Sequence, residues 1–92
     1  MDKKIIIIGA TSGIGREVAL VYMAKGWKVG VAGRREAELE SLRTMAPQQV
    51  SAQVLDVTKD DAPQKLQALI DQVGGMDVFL LSSGIGKQNY VL

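Results

Sequence analysis

Apolar positions along the chain alternate between short continuous runs and stripes at helical spacing. Lys3 to Ile8 is β-branched and apolar without polar alternation, the pattern of a strand buried on both faces, as in parallel sheets. Ile14, Val18, Val21, Tyr22 and the stem of Lys25 recur every three to four positions. That spacing predicts a helix from about Ile14 to Lys25 with those residues inward, ended by Gly26. Lys28 to Ala32 predicts a second strand, ending at Gly33. A second helix is expected over Arg35 to Met45, with Leu39, Leu42 and Met45 inward and Pro47 preventing its continuation. Val50 to Leu55 reads as a third strand. A third helix, capped by Thr58 or Asp60, runs to about Val73 and carries Ala62, Leu66, Leu69, Ile70 and Val73 on its apolar face. Gly74-Gly75 closes it, Asp77 to Leu81 predicts a fourth strand, and Ser82 to Gly86 a loop.

The order is βαβαβαβ. Strands alternating with helices imply an α/β fold, a parallel sheet covered by helices on both faces. Right-handed crossovers leave few ways to wind it. The expected result is the first portion of a doubly wound, Rossmann-like sheet with strand order 3-2-1-4. No internal repeat, linker or low-complexity tract interrupts the chain, so residues 1–92 read as part of one domain.

Composition narrows the chemistry. The 92 residues are 47% hydrophobic and 23% charged, with a formal net charge of +1. The only basic clusters, Lys3-Lys4 and Arg34-Arg35, are too short to track a nucleic-acid backbone. Cysteine and histidine are both absent. Disulfides, thiolate chemistry and serine–histidine or cysteine–histidine nucleophiles are therefore excluded within this stretch, and no metal site is expected. The run Ile5–Ile8 is too short for a signal-peptide core, and no stretch approaches the ~20 apolar residues that span a bilayer. A reducing, cytoplasmic setting is the expectation.

The segment Gly9-Ala10-Thr11-Ser12-Gly13-Ile14-Gly15 joins the first strand to the first helix. A helix start carries unpaired N–H groups and partial positive charge, which attract a pyrophosphate. Gly9 permits the tight turn, Gly13 lets backbone approach phosphate oxygens, and Gly15 lets the helix pack close to the sheet. Thr11 and Ser12 offer hydroxyl donors, and Ile14 completes the loop as a cofactor contact. The spacing G-x-x-x-G-x-G, ending Gly-Ile-Gly, resembles the short-chain dehydrogenase/reductase family. Where that family commonly has threonine before the first glycine, this chain has Ile8.

Dinucleotide folds that take NAD place an acidic residue at the end of the second strand, against the ribose hydroxyls. Here that position is Gly33, followed by Arg34 and Arg35. A guanidinium suits a phosphate through charge-assisted, often bidentate bonds. The expected cofactor is NADP(H), with Arg34 the main contact to the 2′-phosphate and Arg35 its helper. The resemblance agrees, since a basic residue just after the second strand marks many NADP-dependent members. It further implies that Asp56 accepts from the adenine amino group while the backbone of Val57 donates to a ring nitrogen. The family's Asn-Asn-Ala-Gly after the fourth strand is represented here by Leu81-Ser82-Ser83-Gly84. Gly84, with Ser82 and Ser83, is the expected neighbour of the cofactor ribose. The asparagine replaced by Leu81 normally helps hold the central sheet.

Family members run to about 250 residues, and their active site uses a serine and a Tyr-x-x-x-Lys pair that lie later. Tyr22 is followed by Lys25 three residues on rather than four, and Tyr90 by only Val91 and Leu92. No catalytic residue is assigned. The sequence reads as the NADP(H)-binding N-terminal portion of an oxidoreductase acting on a carbonyl or alcohol. The alternative is a non-catalytic NADP(H)-binding or redox-sensing module. With strand order 3-2-1-4, the fourth strand would be an edge, and its apolar Val78-Phe79-Leu80-Leu81 predicts pairing with another chain or copy, a homo-oligomer.

Overall fold

Four consecutive isoleucines, Ile5–Ile8, are almost fully buried and form the centre of the sheet. The computed structural model describes residues 3–9, 13–56, 58–82 and 89–91. In chain order the elements are β1 (Lys4–Ile8), α1 (Gly13–Ala24), β2 (Lys28–Gly33), α2 (Glu36–Met45), β3 (Val50–Val54), α3 (Ala62–Val73), β4 (Val78–Ser82) and β5 (Asn89–Val91). The sheet order is β3-β2-β1-β4-β5. The first four strands are parallel, with Ile8 level with Ala32 on one side and Leu81 on the other. The doubly wound core with order 3-2-1-4 is thus as the alternation of runs and stripes implies.

Because successive side chains point to opposite faces, the isoleucine run feeds two cores. Ile5 and Ile7 join Val29, Val31 and Leu80 under α1 and α2, where Ala19, Leu39 and Leu42 cover them. Ile6 and Ile8 join Ala32 and Leu55 on the other face, under Leu69 and Val73 of α3. A polar residue anywhere in the run would therefore be buried on one face or the other. The third helix uses the face expected of it, with Ala62, Leu66 and Ile70 packed beside its two buried residues.

The first helix is turned relative to expectation. Gly15 and Ala19 are its buried residues, and Val18, Tyr22 and Met23 pack partly buried around them. Ile14 and Val21, expected inward, are 56% and 50% exposed. The stripe 15/18/19/22/23 keeps helical spacing, but glycine and alanine hold its centre because a helix crossing close over a sheet needs small residues there. Hydrophobicity ranks neither residue highly. Met45 is likewise exposed rather than inward. It is the last residue of α2, and the chain turns there through an Ala46 N–H bond to the Arg43 carbonyl. Ala46 takes the inward place.

Neither Thr58 nor Asp60 caps the third helix. That helix begins at Ala62 after Asp61, whose side chain makes no capping bond, and Pro63 sits in its first turn. Proline is suited there because its missing N–H would be unpaired anyway. The carboxylate of Asp61 instead meets Lys65 Nζ at 3.5 Å.

The expectation that β4 would be a bare edge is also corrected. Antiparallel β5 pairs Val91 with Leu80, Tyr90 with Leu81 and Asn89 with Ser82. A three-residue strand was invisible to pattern reading because so short a segment has no usable periodicity.

The amino ends of the strands are fastened by side chains. Lys4 N–H donates to Asp77 Oδ2 and Asp77 N–H to the Lys4 carbonyl, both at 2.8 Å, which sets β4 beside β1. Gln49 Nε2 donates at 2.7 Å to the carbonyls of Met23 and Trp27, tying the entry of β3 to the end of α1. Trp27 meets Tyr22 edge to face with centroids 4.6 Å apart. Gln49→Ala removes both partly buried bonds and should destabilise the fold by about 1–3 kcal/mol, read as a lower urea midpoint with an unchanged slope. Among the described residues no helix is long and apolar enough to cross a membrane.

Candidate functional site

Parallel strands in a common register end together, so their carboxyl ends gather residues far apart in sequence. Gly9 follows β1, Arg34 follows β2, Leu55-Asp56 follows β3, and Ser82 ends β4. Gly9 N–H donates to the Ala32 carbonyl and Leu55 N–H to the Gly33 carbonyl, both at 2.8 Å, extending the ladders to this rim. A crevice outside the carboxyl ends, where strand order reverses around β1, is the general ligand position in open α/β sheets.

The glycines divide their tasks. Gly9 has φ +87°, in the left-handed region that a side chain disfavours, and it turns the chain out of β1. Gly13 opens α1 and is exposed, and a Cβ built on it meets nothing within 4 Å. Gly15 is buried, and lets the helix approach the sheet. The first turn of α1 contains Arg16 and no acidic residue, whereas that of α2 holds Glu36 and Glu38. The partial positive charge of a helix start favours an anion. At α2 its own glutamates supply one, and at α1 no side chain of the first turn does. Ile14 stands exposed beside this helix start rather than in the core. Of the other expected contacts, Thr11, Ser12, Val57, Ser83 and Gly84 lie outside the described residues.

The end of β2 sets the charge. Gly33 is buried, and offers no side chain to a ribose. Arg34 and Arg35 are both exposed. Arg35 precedes α2 in extended conformation, and both arginines follow β2 at the carboxyl rim of the sheet.

Asp56 is held by a residue that motif reading did not assign to the site. Its Oδ1 accepts from Thr58 N–H at 2.9 Å and from the Thr58 hydroxyl at 2.6 Å. The Thr58 hydroxyl bond, then its N–H, then the charges of Arg34 and Lys59 hold the Asp56 carboxyl below its ordinary range. An aspartate lowered in the fold contributes stability above its unfolded pKa of about 3.9 and loses it as pH falls through the lower folded value. Titration of the Asp56 carboxyl by carbon NMR should therefore give a midpoint below about 3.9, and these turn bonds should persist until that lower pH. The i, i+2 spacing Asp56–Thr58 is the signal that could have revealed the bond, since aspartate carboxylates commonly accept from the backbone two residues on.

Two of the positions at which the chain departs from the pattern it resembles, Ile8 and Leu81, are cross-strand neighbours. Ile8 pairs with Leu81 in the β1–β4 register. Both side chains line one cleft of about 510 Å³ beside α3, with Leu55, Phe79, Leu66 and Pro63 and with Lys59 and Asp60. At the two positions where the resemblance implies a threonine and an asparagine, this chain has a matched apolar pair. One replacement alone would have left a polar group facing an apolar partner, so the pair makes sense together.

Residues 3–91 match the family described as short chain dehydrogenase. An uncharacterized oxidoreductase of Myxococcus xanthus is 39% identical over 85 residues, covering 88% of this chain and 34% of that protein. The serine 3-dehydrogenase of Agrobacterium fabrum is 37% identical over 86 residues, covering 92% of this chain and 34% of that protein. A crystal structure of a short chain dehydrogenase/reductase family oxidoreductase from Aeromonas hydrophila superposes with a TM-score of 0.84 at 25% identity, over 94% of this chain and 41% of that one. The chain thus spans about a third of the length of the curated relatives.

Proposed function

Because the chain belongs to the short-chain dehydrogenase family, we propose that it holds NADP(H) across the carboxyl ends of β1–β4, as the cofactor-binding part of an oxidoreductase acting on a carbonyl or alcohol. The carrying observation is the end of β2, where a buried glycine stands in the acidic position and two exposed arginines follow. Without a carboxylate there, the ribose hydroxyls lose their usual acceptor and a 2′-phosphate meets no repulsion. Arg34 holds that phosphate with Arg35 beside it. The pyrophosphate lies at the start of α1, between Gly9 and Gly13, where no acidic side chain of the first turn competes. Asp56 accepts from the adenine amino group. Thr11, Ser12, Val57, Ser82, Ser83 and Gly84 complete the contacts by resemblance. Exposed Ile14 gives the bound cofactor an apolar neighbour.

When bound, the nicotinamide supplies or receives a hydride. The residues of this stretch bind and orient it, and contain no Tyr-x-x-x-Lys. The relative named serine 3-dehydrogenase supports an alcohol as one partner of the reaction. The test is calorimetric titration of the chain with NADPH and with NADH. The expected result is tighter binding of NADPH, by roughly tenfold to hundredfold, the effect of a hydrogen-bonded charge pair. Equal affinity would overturn the NADP assignment, and failure to bind either would overturn the nucleotide reading itself.

A further inference from the structure

Asp56 has two carboxylate oxygens, and the fold uses them unequally. Oδ1 accepts twice, from the N–H and the hydroxyl of Thr58, while Oδ2 accepts no bond among the described residues. No ion pair joins the carboxylate to Arg34 or Lys59, although both are near enough for their charges to act on it. A carboxylate on a short side chain near two cations would ordinarily swing toward one of them. Rotation about its last torsion would break both Thr58 bonds, so the ring they close fixes the plane of the group. The carbonyl of Asp56 is engaged too, by Lys59 N–H at 3.0 Å. That bond tightens the turn carrying Thr58.

We propose that Thr58 is a positioning residue for adenine recognition, its hydroxyl and N–H locking Asp56 so that Oδ2 is left to accept from the 6-amino group. This rests on the reading of Asp56 as the adenine acceptor. The hydroxyl is the part a side-chain change can remove. Thr58→Val keeps the shape and the N–H but loses the 2.6 Å bond, and Thr58→Ser keeps the hydroxyl. Thr58 is exposed, so neither change disturbs the core, and a melting curve verifies this.

The experiment measures, on the whole chain, the affinity ratio between adenosine 2′,5′-bisphosphate and the matching purine riboside bisphosphate, which lacks only the amino group. The ratio cancels any general weakening of binding. In the wild type it should favour adenine roughly tenfold, one charge-assisted bond. It should fall to about twofold or less in Thr58→Val and return in Thr58→Ser. Carbon NMR on the free protein should show the Asp56 midpoint rising in Thr58→Val toward the ordinary aspartate value, a change that mere loosening of the turn elsewhere would not produce. If Thr58→Val keeps the full ratio while Asp56→Ala abolishes it, Thr58 does not position the acceptor and the proposal fails with the Asp56 reading intact. If the wild type shows no preference for adenine, the Asp56 reading fails and the proposal falls with it.

Discussion

Replacing Arg34 with alanine should weaken NADPH binding by roughly tenfold to hundredfold and leave NADH binding nearly unchanged. The asymmetry follows from where Arg34 stands. It is exposed at the end of β2, after a glycine that presents no side chain, so the proposed 2′-phosphate is its one strong attraction in the ligand, and NADH lacks that group. Exposure also bounds the effect. Salt screens surface charges over about 8 Å at physiological ionic strength, so the loss should sit near the top of the range in dilute buffer and shrink as salt is added. Arg34→Lys should lose part of the affinity, because an ammonium keeps the charge but not the planar fork that meets two phosphate oxygens. Titrations of both variants with both nucleotides, at two salt concentrations, measure all of this. Equal losses for NADPH and NADH would mean that Arg34 supports the loop rather than the phosphate.

The largest stability effect is expected at Gly30. It sits in the middle of β2, level with Ile6 of β1 and beneath α3. A Cβ there would lie 2.7 Å from Ile6 Cδ1, 2.8 Å from Val73 Cγ2 and 3.2 Å from Leu69 Cγ. The isoleucine tip could rotate only within a residue that is 0% exposed, and a helical valine has essentially one allowed rotamer, so α3 itself must retreat. Overpacking of this kind costs about 1–3 kcal/mol. The lower backbone entropy of alanine in the unfolded chain returns about 0.4–1 kcal/mol. At the centre of these ranges Gly30→Ala should therefore lose about 1.3 kcal/mol net, moving the urea midpoint down by roughly 1 M at a slope of about 1 kcal/mol/M. Gly30→Val adds two methyl groups to the same gap and should lose more than about 3 kcal/mol, a large part of the 5–15 kcal/mol typical of a domain. A valine variant as stable as the parent would show that α3 does not press on this strand.

Both positions illustrate how sequence and structure share the explanation. Nothing about Gly30 in the sequence distinguishes it from a glycine tolerated in a strand. Its necessity comes from Val73 and Leu69, about forty positions away, brought over it by the crossover that places α3 on that face. The role proposed for Arg34, by contrast, rests on a local pattern, a basic pair directly after a strand whose last residue lacks a carboxylate.

The order and kind of the first seven elements were likewise legible along the chain. Whether a segment is strand or helix depends on its own spacing of apolar residues, and the double burial of Ile5–Ile8 follows from their unbroken run. Parallel pairing and the order 3-2-1-4 follow from the alternation and the right-handed crossover rule. Tertiary structure decided what depends on a second segment. Gly15 and Ala19, rather than Ile14 and Val21, face the sheet because closeness of approach outweighs hydrophobicity there. Thr58 turns to Asp56 instead of capping α3 because the helix begins four residues later. Asn89–Val91 becomes a strand because β4 offers it an unpaired edge. Ile8 and Leu81, two separate oddities in the sequence, become one apolar pair because the register sets them side by side. Except at Thr58, whose bond to Asp56 is local, the deciding energy in these cases is a contact with another element of the fold, which no pattern within one segment encodes.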